Sequence, residues 1–224
     1  MSSHRSDTLK ARKQLGYMTN EFSLEGSSIV FQVANNSPGM FGSDFFTHLR
    51  VFPEGTEPEK YVKIRPLVQL QYPGGYTFES TEERTKLEIK YEQPRLIDAV
   101  PDDLIATIAL KLIRQVPFLD FRALGINFRA YKTGDDINSL VHTNRIAAEA
   151  QAQLVKVSIP FFSFTSNVTI GLGEHKLAGR VIVVDANYHI EVQRSERVDL
   201  LSKAVDRRLQ CLDHFSQLLT SAEV

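Results

Sequence analysis

The chain has 224 residues, of which 42% are hydrophobic and 24% are charged, which is ordinary globular composition. Its 26 Lys and Arg residues balance 27 Asp and Glu residues, and this argues against a protein whose whole surface binds nucleic acid or a membrane. The single cysteine, Cys211, excludes an internal disulfide. Since no apolar run resembles a signal peptide or a membrane span, we expect a cytoplasmic protein.

The N-terminal residues 1–18 are predicted to form a mobile basic tail ahead of a single domain over residues 19–224. The basic side chains of the tail are His4, Arg5, Lys10, Arg12 and Lys13. The tail is either a frayed terminus or an arm that docks on an acidic partner. Nothing outside this tail indicates a nucleic-acid partner.

From Glu21 to Tyr91 the pattern is mainly that of β-strands. The run Leu67–Tyr72 ends at Pro73-Gly74-Gly75, which is a strong turn signal. In Leu87–Tyr91, apolar and charged residues alternate, as in a strand with one buried face.

A buried helix is predicted to open at Pro101-Asp102-Asp103 and to end before Pro117, because apolar residues recur between them at helical spacing. A strand around Leu124–Ala130 follows. A second helix is predicted for Ile137–Gln153. Three further strands are predicted, at Leu154–Pro160, Phe162–Gly171 and Leu177–Val192.

The chain is predicted to close with one long amphipathic helix from Ser195 to Thr220. Its apolar stripe offers a candidate interface for a protein partner or a second copy of the chain, formed by Val198, Val205, Leu212, Phe215 and Leu219. The stripe is wider than a coiled-coil seam, and Arg208 falls on it, so packing on the chain's own sheet is the alternative. Together these elements predict an α+β fold: a mainly antiparallel sheet, a buried middle helix, and the closing helix packed on one face.

Three short segments resemble a sporadically distributed family of uncharacterised bacterial proteins of similar length. They are Leu124-Gly125-Ile126-Asn127-Phe128, Val183-Val184-Asp185, and the helix end Phe215-x-x-Leu218-Leu219-Thr220. The resemblance covers about residues 104–220. Arg208 stands where that family typically has a histidine, and the resemblance implies no particular activity.

Asp185 and His189 are the candidate catalytic residues. Asp185 interrupts an apolar strand, where burial would raise the pKa of a carboxyl group. Residues four apart in a strand share a face, so both side chains could serve acid–base catalysis. The alternative is that Asp185 makes local backbone hydrogen bonds in a bulge or turn.

No cofactor or metal is indicated. The histidines show no ligand spacing to one another, to cysteine or to glutamate; they are His4, His48, His142, His175, His189 and His214. Gly171-Leu172-Gly173-Glu174-His175 is followed by a strand rather than a helix, so it favours a hairpin turn over a phosphate-binding loop. Cys211 adjoins the apolar stripe and is expected to be a small core residue.

Phe162 and Phe164 are the candidate ligand-binding residues, because a phenylalanine-rich strand can line an apolar cavity as well as pack in a core. The sequence thus favours a non-enzymatic protein-binding or assembly module that acts through its sheet face or its last helix. The alternatives are a binder of small apolar ligands and, third, an enzyme that uses Asp185 and His189.

Overall fold

The computed structural model describes residues 22–50, 52, 55–96, 104–134, 137, 154–176, 178–193 and 197–220. Four predicted features lie outside these residues: the basic tail, the helix start at Pro101, residues 138–153 of the second predicted helix, and the cap at Ser195.

Nine strands form one sheet, and every neighbouring pair is antiparallel. They are β1 (Ser23–Ala34), β2 (Lys60–Ile64), β3 (Leu67–Tyr72), β4 (Tyr76–Ser80), β5 (Arg84–Leu96), β6 (Asp120–Thr133), β7 (Leu154–Phe161), β8 (Phe164–His175) and β9 (Gly179–Glu191). The helices are α1 (Ser43–Leu49), α2 (Leu104–Gln115), α3 (Arg197–Asp206) and α4 (Arg208–Thr220). The predicted α+β class with a mainly antiparallel sheet is confirmed.

The strand order in the sheet is β2-β3-β4-β5-β1-β6-β9-β8-β7. In the first half of the chain, β1 is followed by a meander that returns beside it as β5, and α2 comes next. In the second half, β6 is followed by a meander that returns beside it as β9, and α3 and α4 come next. The meander has four strands in the first half and three described strands in the second, and the two halves join through the central β1–β6 pair.

One face of the sheet carries the core. Along β1, alternate residues Ile29, Phe31 and Val33 are buried, as the two-residue period of a strand requires. In α2, Ile105 and Ile108 are buried at helical spacing. We call this side of the sheet the helix face, because α1, α2 and α4 all pack on residues that point to it.

The contacts of α1 and α4 show which strand residues point to the helix face. The Phe46 ring of α1 meets Phe78 on β4, with 4.6 Å between the ring centroids. In α4, Phe215 stacks on Phe128 of β6 at 5.8 Å. None of the helices in the described ranges is both long and apolar enough to cross a membrane.

The C-terminal segment forms two helices rather than one. The chain leaves helical geometry at Arg207, between α3 and α4. The next residue, Arg208, is only 2% exposed, and its Nη2 donates a hydrogen bond to Ser27 Oγ over 2.6 Å. Its guanidinium carbon lies 5.3 Å from the centre of the Phe128 ring. The break therefore stands where a buried cation is placed against the sheet.

The hairpin turn predicted at the glycine-rich segment lies slightly further along the chain. Gly171 and Gly173 pair with Val183 and Val181 inside the β8–β9 ladder, and the chain reverses between His175 and Gly179 instead. The partner strand continues opposite both glycines, so the chain does not turn at either of them.

The strand predicted to begin at Phe162 begins at Phe164. Phe161 pairs directly with Phe164, so residues 162 and 163 form the turn between β7 and β8. Phe162 has a φ of 53°, which takes it out of extended geometry. Phe164 therefore shares a strand face with Phe161, and Phe162 is not part of the strand.

Candidate binding groove

Polar residues form a continuous row on the face opposite the helices. In an antiparallel sheet, directly opposed residues point to the same face. In every pair of neighbouring strands, the pairing register places a polar residue directly opposite another polar residue. Across the sheet these residues are, in order, Lys60, Gln71, Thr77, Glu88, Ser28, Asn127, Asn187, Asn167 and Ser158. We call these nine residues the polar row.

Hydrogen bonds link the centre of the polar row. Asn187 Nδ2 donates to Asn127 Oδ1 over 2.6 Å. Asn127 Nδ2 in turn donates to Ser28 Oγ over 3.2 Å. A carboxamide has two N–H donors and two acceptor positions, so these bonds orient the side chains and leave hydrogen-bonding capacity for a ligand.

A groove of about 430 Å³ lies over this centre. Its lining comes only from strands, and the residues that supply it belong to β5, β1, β6, β9 and β8. These five strands are consecutive in the sheet, so the groove runs across the strands for about 19 Å, four spacings of roughly 4.8 Å. The volume falls within the range of roughly 300–1,000 Å³ seen for ligand sites.

Charged residues line one side of the groove, and they are paired with one another. Arg129 Nε lies 3.0 Å from Glu25 Oε2 and 3.7 Å from Asp185 Oδ1. At the β5 end, Lys90 Nζ lies 3.9 Å from Glu88 Oε2. Each charged residue of the lining thus has an opposite charge close by.

The pKa of Asp185 is raised above the ordinary value of a carboxyl group. Desolvation by burial is the main cause, and nearby Glu25 raises the pKa further, while Arg129 lowers it. The direction matches the sequence prediction for this residue, although Asp185 remains half exposed. It lies in the middle of its strand, paired with Arg129, rather than in a turn at the strand's end.

Two glycines flank the Ser28–Asn127 pair. Gly26 stands two residues before Ser28 on β1, and Gly125 stands two residues before Asn127 on β6. A β-carbon on Gly26 would lie 2.5 Å from the carbonyl oxygen of Ile89, so no larger residue fits without a shift. The backbone that approaches Gly26 closely is therefore that of the neighbouring strand β5.

Asp185 and His189 lie on the same face of β9, with Asn187 between them. Four residues of strand place their Cα atoms about 13 Å apart. Asp185 lines the groove, and His189 is not part of its lining. A shared proton between the two is therefore not supported by this arrangement.

The other candidate residues lie away from the groove. Phe164 is buried in the core, and Phe162 is 67% exposed, with the Arg207 guanidinium carbon 5.1 Å from its ring centre. Cys211 is buried, and burial raises its pKa to about 12, so its thiol is not reactive at neutral pH. Among the described residues, no three His, Cys, Asp or Glu side chains come together to hold a metal ion.

The apolar stripe of the closing segment faces the chain's own core. Val205, Leu212, Phe215 and Leu219 are at most 6% exposed, and Val198 packs against the same core. These side chains are therefore buried within the chain itself.

Most residues of the groove carry no signal in the sequence. In the sequence, Glu25, Lys90 and Arg129 have the pattern of solvent-facing residues in ordinary strands. Asn127 has the same pattern, because it alternates with the buried residues Ile126 and Phe128 as any polar residue of a half-buried strand does. Comparison of the sequence with protein-family models and with curated proteins gave no match.

Proposed function

We propose that the protein is a non-enzymatic binding module whose groove holds a segment of a protein partner. The observation that supports this is the hydrogen-bonded row of carboxamides at the floor of a groove lined by five strands. A side-chain carboxamide is complementary to a peptide group, because each offers both a donor and an acceptor. The helix stripe is buried, so the proposal places the partner on the sheet.

Other classes of ligand fit the groove less well. Nucleic acid is bound by unpaired cations and by aromatic rings on which bases stack. In the groove, Arg129 and Lys90 already face carboxylates, and the one aromatic residue of the lining, Phe128, has its side chain on the helix face. An apolar ligand would bury the hydrogen-bonding positions of Asn127 and Asn187 that their mutual bond and the bond to Ser28 leave open, which is costly.

The test is affinity capture with the tagged full-length chain and two matched variants. Asn167→Trp places an indole in the groove. Gln71→Trp makes the same change at an exposed residue of the same row, two strands beyond the groove. Strands accept aromatic residues at exposed positions, so both variants are expected to fold, and circular dichroism checks this.

The proposal expects proteins captured by the wild type and by Gln71→Trp to be lost with Asn167→Trp. Equal capture by both variants would place the partner elsewhere and overturn the proposal. Recovery of nucleic acid in place of protein, again lost with Asn167→Trp, would keep the groove but replace the class of partner.

A further inference from the structure

We propose that a second pocket, on the helix face beside α1, binds a small flat aromatic molecule that carries an uncharged hydrogen-bond acceptor, such as an aryl ketone. This pocket is separate from the groove and does not depend on the proposed function. Three observations support the assignment: a cavity of sufficient size, a floor of aromatic rings, and an almost fully buried hydroxyl group that is left to bind an occupant.

The pocket lies between the end of α1 and the end of β3, and its volume is about 500 Å³. Its floor is aromatic and consists of Phe46, Phe52 and Tyr72. Its rim is mostly polar and consists of Thr47, Arg50, Gly55, Thr56 and Glu57. The volume falls within the range of roughly 300–1,000 Å³ seen for ligand sites, and apolar walls with a few polar groups are typical of them.

The rings of the floor already contact one another. Phe52 lies flat on Tyr72, with 4.1 Å between the ring centroids and 20° between the ring planes. Phe46 meets Tyr72 edge-on at 6.0 Å. A flat ring in the pocket can extend this cluster by stacking or by an edge contact, and such contacts stabilise a complex beyond the burial of apolar area alone. A saturated ring of the same size lacks these contacts.

Tyr72 supplies a hydroxyl group to this aromatic lining. The residue is only 2% exposed, and no hydrogen bond joins its hydroxyl to the part of the chain that the structure describes. Burial raises the pKa of Tyr72 to about 12, so the hydroxyl stays protonated at neutral pH and can donate a hydrogen bond. An acceptor on a ligand would give this donor a partner.

The acceptor that suits this donor is uncharged. A carbonyl oxygen can accept the hydrogen bond from Tyr72 while the ring that carries it packs on Phe46 and Phe52. A carboxylate would give up much of its hydration beside the same rings in return for one hydrogen bond. Among the lining residues that the structure describes, Arg50 is the one cation and Glu57 the one anion, so the rim does not favour one sign of charge.

The test titrates the ¹⁵N-labelled full-length chain with acetophenone and follows the backbone amide signals of Thr47, Gly55, Thr56 and Tyr72. Three matched probes each change one property. Isopropenylbenzene keeps the flat ring and replaces the carbonyl oxygen by a CH₂ group. Cyclohexyl methyl ketone keeps the carbonyl group and loses the flat ring, and benzoate carries a charged acceptor.

We expect Tyr72→Phe to weaken the binding of acetophenone about fivefold, as the loss of one hydrogen bond would give, and to leave isopropenylbenzene unaffected. Tyr61→Phe is the control, because Tyr61 is 44% exposed and outside the lining. Circular dichroism checks that both variants fold.

The aromatic floor has its own pair of variants. Phe52→Leu should weaken both aryl probes, whereas Phe118→Leu should not, because Phe118 is 69% exposed and outside the lining. Acetophenone should also bind tighter than cyclohexyl methyl ketone and tighter than benzoate.

Four results would overturn the inference. They are an equal effect of Tyr72→Phe on both aryl probes, tighter binding of cyclohexyl methyl ketone, tighter binding of benzoate, and no binding of any of the four probes. Asn167→Trp changes the opposite face of the sheet and should bind acetophenone as the wild type does. The pocket and the groove can therefore fail their tests independently.

Discussion

Gly26 shows at the scale of one residue how closely the sheet is built beneath the groove. A β-bulge in β1 lies between Leu24 and Gly26, and the bulged residue, Glu25, reaches Arg129. The carbonyl of Ile89 occupies the space that a side chain at position 26 would need. One glycine thus serves both the strand pairing and the floor of the groove.

Gly26→Ala should lower the free energy of unfolding by about 1–3 kcal/mol, because the added methyl group forces β1 and β5 apart. Urea denaturation followed by circular dichroism measures the change. Gly39→Ala is the control, since nothing lies within 4 Å of its β-carbon position and its stability should stay within about 0.5 kcal/mol of the wild type. Equal stability of both variants would mean that the strands yield without cost.

At the scale of elements, the C-terminal segment formed by α3 and α4 has one buried side and one solvent-exposed side. Val205 is fully buried in α3, whereas Leu209 of α4 is 52% exposed. The two residues stand four apart on either side of the break at Arg207. They offer a matched pair for asking whether the stripe packs on the chain's own core.

Val205→Asp should destabilise the fold by roughly 3–5 kcal/mol or prevent folding, because it buries a charge without a partner. Leu209→Asp should change stability by less than about 0.5 kcal/mol. Thermal unfolding measures both, and light scattering follows the mass. A folded Val205→Asp variant of lower mass than the wild type would instead show that the stripe is an interface between copies.

The β7–β8 hairpin contacts α4 through His214. The His214 ring stacks on Phe161 at 4.1 Å, and its Nδ1 forms a 2.8 Å hydrogen bond with the hydroxyl of Tyr188. Desolvation by burial lowers the pKa of His214 below its ordinary value of 6.5. The neutral ring is therefore the form that suits this contact.

A lowered histidine pKa means that the unfolded chain takes up the proton at higher pH than the folded chain does. The stabilising contribution of His214 is therefore complete above about pH 6.5 and is lost as the pH falls through the lower, folded-state pKa. His214→Phe should remove this part of the pH dependence. Urea midpoints of both proteins between pH 5 and pH 8 test it, and parallel curves would contradict the assignment.

The alternation of β1, β5, β6 and β9 predicts which residues are buried, because a sheet covered on one side imposes a two-residue period. The break at Arg207 was not predictable, since neither proline nor glycine marks it. The glycines at 171 and 173 suggested a turn from local preference, but strand pairing with Val183 and Val181 determines where the chain reverses.

At the scale of the whole molecule, β1 couples the two halves. It pairs with β5 on one side and with β6 on the other along most of its length. Unfolding of either half would remove the hydrogen-bonded partner strand from one edge of β1. The described elements are therefore expected to lose their structure together.

We predict a single unfolding transition. The chain has no tryptophan and seven tyrosines, so tyrosine fluorescence and far-ultraviolet circular dichroism are the two probes. Their urea midpoints should coincide. Two separated midpoints would show that the halves are independent in stability.

The groove was missed at the sequence level because it exists only in the register of the sheet. Ser28, Asn127 and Asn167 are far apart in the chain, and nothing local connects them. Only the pairing of β1 with β6, of β6 with β9 and of β9 with β8 brings them into one line. Asp185 could be predicted as a candidate residue because a charged residue within an apolar run stands out in the local sequence.

The five strands that line the groove come from both halves of the chain. An occupant would therefore contact both halves at once and link segments that are far apart in the sequence. It would bind the folded state alone and would raise the melting temperature with increasing concentration. A ligand present at one hundred times its dissociation constant would add about 2.7 kcal/mol to the free energy of unfolding. A thermal-shift screen can therefore search for the partner segment without any assay of function.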